Sequence, residues 1–121
     1  MAIRRIAWSQ ELDRGLARAL PDELIRGIVA SECRTGVAQA WQCDSEQHHA
    51  LVVTRLDQNP TEWVVVAFEG SGMHVFGPLF IAAARDRGIP LRAHVTSPIV
   101  EQLLKRRLKL RTEERIMRYR P

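Results

Sequence analysis

Thr61 to Gly88 read TEWVVVAFEGSGMHVFGPLFIAAARDRG. The first part, Trp63-Val-Val-Val-Ala-Phe68, is a continuous β-branched and aromatic run, too short for a helix, bounded by Asn59-Pro60 before and Gly70-Ser71-Gly72 after. It predicts a strand buried on both faces, at the centre of a sheet. Gly77-Pro78, then Leu79, Phe80, Ala83, Ala84 and Arg87, then Gly88, predict a helix from Pro78 to Arg87. Proline stands in its first turn, an apolar stripe recurs at three- and four-residue spacing, and glycine lies just past its end. The whole is a strand, a glycine-rich turn and a helix. Unpaired N–H groups at the start of such a helix carry partial positive charge and can seat an anion such as a pyrophosphate. The same glycines also serve simply to turn the chain, and on spacing alone that plainer reading leads.

Upstream, Ala2 to Ala7 predicts a short first strand. Ser9 is a suitable N-cap for a helix over Gln10 to Leu20, with Leu12, Leu16, Ala19 and Leu20 on one face, stopped by Pro21. Asp22 to Cys33 starts a second helix with two acids in its first turn and Leu24, Ile25, Ile28 and Val29 on its apolar face. From Gly36 the period becomes extended. Val37 to Cys43, His48 to Leu56 and Glu62 to Phe68 predict three strands joined by hairpin-sized turns, an antiparallel meander. Downstream, Leu91 to Thr96 alternates Leu91, Ala93 and Val95 inward with Arg92 and His94 outward, and its helical crossover suits parallel pairing. Ser97-Pro98 opens a further helix with Ile99, Val100, Leu103, Leu104 and Leu108, and Arg111 to Arg120 predicts a last strand.

Composition bounds these elements to one compact domain, residues 1–121, with 45% apolar residues and one core. No apolar run reaches the roughly 18 residues of a membrane span, and Met1-Ala-Ile-Arg-Arg-Ile6 lacks a secretory apolar stretch, so a cytoplasmic protein is expected. Cys33 and Cys43 are expected as free thiols. The net charge is +4, but residues 1–100 hold 10 Lys or Arg against 11 Asp or Glu, and residues 101–121 hold 8 against 3. The basic excess therefore lies in a tail where charges interleave with leucines, as on the solvated face of an amphipathic helix. Nucleic-acid binding through this tail is the weakest reading, since Tyr119 is its sole aromatic residue.

The element order (strand, two helices, three-strand meander, helix, strand, helix, strand) resembles that of the GNAT superfamily of acyl-CoA N-acyltransferases over nearly the whole chain. The resemblance implies an α/β (α+β) domain with a mixed central sheet of six to seven strands and about four helices. It also implies an acetyl-CoA or other acyl-CoA cofactor and an amine acceptor. The family's motif after its fourth strand is a Gln or Arg, two residues, Gly, one residue, then Gly or Ala, whose amides hold the pyrophosphate. Here Gly72 and Val75 stand at its first two positions, and only Gly77 matches. By the resemblance, Gly70, Ser71, Gly72 and Gly77 would cradle the pyrophosphate, and Val66, Ala67 and Phe68 would offer backbone groups to pantetheine.

Ala82 to Val95, AAARDRGIPLRAHV, is very similar to the family's passage from helix to strand. In the next pattern Leu104 occupies the place where many members carry the tyrosine that protonates the departing thiolate. Glu62 is similar to the glutamate with which several members deprotonate the acceptor amine, and His74 is the next candidate base. Glu62 as a polar residue ending a turn is an equally good reading. The degenerate motif and Leu104 keep a second function class open: a non-catalytic GNAT-like structural or interaction module, such as a phage virion-associated protein, with a homo-oligomer or assembly partner. No metal is expected, because Cys33, Cys43, His48 and His49 have no familiar zinc spacing and adjacent histidines on a strand point to opposite faces.

Overall fold

The computed structural model describes residues 1–58, 60–94, 111–113 and 116–119. It is a mixed α/β structure in which β1 (Ala2–Ile6), α1 (Gln10–Gly15), α2 (Glu23–Thr35), β2 (Ala38–Asp44), β3 (His49–Asp57), β4 (Glu62–Gly70), α3 (Met73–Arg87), β5 (Leu91–His94), β6 (Arg111–Glu113) and β7 (Ile116–Tyr119) follow in order. Three helices lie among the described residues. The expected helix over 98–108, with Leu104, lies outside them. The chain divides into two compact units, residues 1–55 with 66–71 and residues 56–65 with 72–121, so β4 contributes to both.

In the first unit β1 pairs antiparallel with β2, and β2 with β3 from Ala38–Arg55 to Asp44–His49. Its core is Leu12, Leu16, Val29, Ala38, Ala40, Val53 and Ala67, with Ile6, Trp8, Leu20, Cys33 and Leu51 packed against it. The first helix starts as the sequence predicts, and the second starts one residue later, at Glu23, with Asp22 as its N-cap. Ser9 accepts from the Leu12 N–H, and Asp22 accepts from the N–H groups of Leu24 and Ile25. The first helix ends at Gly15, however, and a looser turn carries the chain to Leu20.

The apolar face of α2 is a correction. Val29 and Ala30 face the core, whereas Leu24, Ile25 and Ile28 are exposed. Arg26 sets this rotation. Its Nη1 donates to the carbonyls of Leu20 (2.8 Å) and Pro21 (3.2 Å), and its Nε lies 3.5 Å from Asp13. Carbonyls left without a helical partner at the corner between the two helices need a donor, and the guanidinium supplies it. With Arg26 turned inward, the residues on the opposite side of the helix turn outward.

In the second unit β4 and β5 pair in parallel, Trp63 with Leu91, Val64 with Arg92 and Val65 with Ala93. The predicted crossover is thus found. β5 pairs antiparallel with β7, and β7 with β6, so the single last strand expected from Arg111 onward is two short ones. The helix α3 begins at Met73, five residues earlier than predicted, and takes Gly77 and Pro78 inside it. Phe76, Phe80 and Ala84, four apart on one row, are buried together with Ile81, and Phe80 meets Trp63 ring to ring at 5.6 Å. Burying Phe76, one turn ahead of Phe80, extends the row and outweighs the one backbone bond that Pro78 removes. At the other end Gly88 adopts φ 66° and its N–H returns to Arg85, as expected of a glycine beyond a helix.

Candidate functional site

The strand-to-helix junction is built differently at its two ends. Gly70 has φ 125°, and a Cβ there would collide with the His49 carbonyl oxygen and lie 2.8 Å from Ala50 Cα. Its lack of a side chain is required by the close passage of β3. Ser71 is exposed; its N–H donates to the His49 carbonyl at 3.0 Å and its Oγ lies 3.1 Å from His48 Nδ1. Both residues are accounted for by contacts with the start of β3.

Gly72 is the N-cap of α3, in the left-handed conformation at φ 86° and ψ 25°. Its carbonyl accepts from the N–H groups of Val75 and Phe76. Glycine gives α3 no side-chain cap, and the first turn of the helix holds no acid. The two other described helices have both, Ser9 with Glu11 and Asp13, and Asp22 with Glu23. The first turn of α3, with Met73 and the exposed His74, therefore supplies no carboxylate of its own to the positive end of the helix. Gly77 is removed from the expected cradle: five residues past the N-cap, its N–H belongs to the helical ladder and points along the axis.

Val66, Ala67 and Phe68 lie on β4, beyond Val65–Ala93, the last pair of its ladder with β5 among the described residues. Ala67 is buried in the core of the first unit, and Val66 packs against that core.

Glu62 opens β4 and is buried, 5% exposed. Its Oε1 lies 3.7 Å from Nη1 of Arg92, whose Nη2 donates to Asp57 Oδ2 at 2.8 Å. Arg92 was expected to face solvent. Instead its side chain is 21% exposed and bridges two carboxylates. Parallel pairing explains this, because Val64 and Arg92 are register partners and Glu62 lies two residues before Val64, so all three share one face of the sheet. The sequence reading singled out Glu62 and missed its partners. Spacing holds no signal for Arg92 and Asp57, which are 35 residues apart.

His49 Nδ1 lies 2.8 Å from Asp44 Oδ1, and this hydrogen bond holds the Asp44 carboxyl below its ordinary value. The two thiols are free, and burial raises both. Tyr119 accepts from Arg85 Nε at 2.9 Å, and the guanidinium stands 5.5 Å from its ring centroid, so the tail's aromatic side chain is engaged within its own unit. No helix among the described residues is long and apolar enough to cross a membrane, and no group of three or more His, Cys, Asp or Glu among them could hold a metal ion.

No family model, no curated protein and no solved structure matches this chain. The likeness to the GNAT superfamily thus rests on the chain's own residues and element order.

Proposed function

We propose that the chain is a GNAT-like protein that binds the pyrophosphate of an acyl-CoA at the N-terminus of α3, and acts as an N-acyltransferase or as a cofactor-binding descendant of one. One observation carries the reading: α3 follows a strand and a glycine turn, yet has neither the side-chain cap nor the first-turn acid that α1 and α2 have. Such a terminus lowers the free energy of an anion placed against the N–H groups of its first turn. The crossover from β4 through α3 to the parallel β5 supports it further, because ligands of open α/β sheets bind beyond the carboxyl ends of such strands. In the transfer, the amine nitrogen attacks the thioester carbonyl, the C–S bond breaks, and the amine proton passes through water to Glu62. The thiolate takes its proton from solvent, since the leucine at position 104 has none to give.

A second reading, a non-catalytic GNAT-like structural or interaction module of the phage-virion kind, is favoured by two observations. Gly77, the one motif position that matches, lies inside α3, and the Glu62 carboxylate is next to Arg92. Melting the protein with and without acetyl-CoA separates the two. Ligand at 100 times its dissociation constant stabilises the native state by about 2.7 kcal/mol, several degrees in Tm for a chain of this size. No shift with any short acyl-CoA at millimolar concentration overturns the cofactor reading and leaves the module.

A further inference from the structure

We infer that α2 is a self-association surface, through which two copies of this chain pack their α2 helices antiparallel about a two-fold axis near Ile28. The outward face of the helix is apolar where a solvated helix is polar: Leu24 is 75% exposed, Ile28 54% and Ile25 47%. Leu24, Ile28, Ser31 and Thr35, spaced four, three and four, form one stripe with Ile25 beside it. Three large aliphatic side chains clustered on one exposed helix face are unusual for a surface with nothing to cover it.

The flank of that stripe says what covers it. Glu23, Gly27 and Arg34, spaced four and seven, run along one side. Among the described residues nothing lies within 4 Å of where a Cβ on Gly27 would be, so no packing among them calls for glycine at a mid-helix position where it costs about 1 kcal/mol relative to alanine. A second helix backbone approaching there does call for it. Glu23 and Arg34 are exposed and have no hydrogen-bond or ion-pair partner among the described residues, whereas the helix's inner cation, Arg26, and Glu32 are engaged by Asp13 and Arg55. In an antiparallel pair the same flank of each helix faces its counterpart. A dyad near Ile28 then places Glu23 of each copy opposite Arg34 of the other, twice by symmetry, with the two helix dipoles opposed. A parallel pair would turn this flank toward the opposite flank of the partner helix, away from the partner's Arg34. The surface is complementary to itself in one orientation, which is the property an isologous dimer needs.

Sedimentation velocity on the intact chain from about 1 to about 200 µM tests this, a range that brackets a dimer of micromolar affinity. The wild type should move from monomer to dimer. Ile28→Glu sets like charges against each other at the dyad and should raise the dissociation constant at least about 30-fold, as expected for a residue at the centre of an interface. Because position 28 faces solvent, the Ile28→Glu monomer should keep the wild-type circular dichroism spectrum. Glu23→Arg and Arg34→Glu should each weaken the dimer, and the double exchange should restore it. A wild type that stays monomeric throughout, or a dimer indifferent to Ile28→Glu or not rescued by the double exchange, overturns the inference.

Discussion

Arg92 Nη2 donates to Asp57 Oδ2 at 2.8 Å across 35 residues of sequence, tying the end of β3 to β5 while the same guanidinium stands 3.7 Å from the buried Glu62. One cation thus faces two carboxylates in a place only partly open to water. Replacing Arg92 with Leu removes the cation and leaves both acids. The expected loss is about 2 kcal/mol in urea unfolding, below the ~3–5 kcal/mol of a fully buried pair because the Arg92 and Asp57 side chains keep 21% and 27% exposure. Arg92→Lys should recover part of it, since a single ammonium cannot reach both carboxylates with the geometry of the fork. Equal stability of Arg92→Leu and the wild type would show that the cluster does not hold this unit together.

Gly70→Ala should destabilise the chain by about 2 kcal/mol or more. A residue with a Cβ is strained at φ 125°, and the new atom meets the backbone of His49 and Ala50, which cannot swing aside as a flexible side chain would. Gly27→Ala is the contrast: open space and an ordinary helical position predict a gain of up to about 1 kcal/mol in the monomer. Chemical denaturation of the two variants side by side, at a concentration where the chain is monomeric, measures both. Similar behaviour at both sites would contradict the assigned role of Gly70.

These contrasts show what the residues disclosed and what they did not. The strand from Trp63, the glycine after α3, the cap at Ser9 and the parallel crossover to Leu91 are local signals, and the chain follows them, although only Val64 and Ala67 of the run expected to be buried on both faces are buried. The start of α3 was misread because Gly72, Gly77 and Pro78 are all turn formers, and only the burial of Phe76 in line with Phe80 decides that the helix runs through the last two. The rotation of α2 was misread for a similar reason: both of its sides carry apolar residues, and the choice falls to Arg26, whose partners are carbonyls of the preceding corner. Of the candidate site, Glu62 and the glycine junction were visible. The ion pair that restrains Glu62 depends on sheet register, which no local pattern encodes.

Cys43 carries a pH dependence of definite sign. It is fully buried on β2, and burial first, then the neighbouring Asp44, pushes its thiol from 9.0 up to about 11. A pKa raised in the folded state means that the unfolded chain ionises first, so this contribution is intact below about pH 9 and is lost as pH rises toward 11. It amounts to at most about 2.7 kcal/mol. Urea midpoints of the wild type should therefore fall relative to those of Cys43→Ala between these two pH values, and parallel curves would refute the assignment. Near neutral pH the half-buried Cys33 should react with a disulfide reagent well before Cys43.

His74→Glu tests the anion seat without endangering the fold. His74 is exposed at the second position of α3, where a carboxylate interacts favourably with the helix dipole, so the variant should be as stable as the wild type or more stable by about 0.3–1 kcal/mol. The same carboxylate occupies the place proposed for the pyrophosphate and repels it. Acetyl-CoA should then raise the Tm of the wild type and leave that of His74→Glu unchanged, although the variant alone melts no lower. Substituting the weak neighbour Pro78, exposed in the next turn, with Ala should leave the ligand shift intact, since no donor of the first turn is altered. If acetyl-CoA stabilises His74→Glu as much as the wild type, it binds elsewhere than at the N-terminus of α3, and the uncapped terminus is a feature of the turn alone.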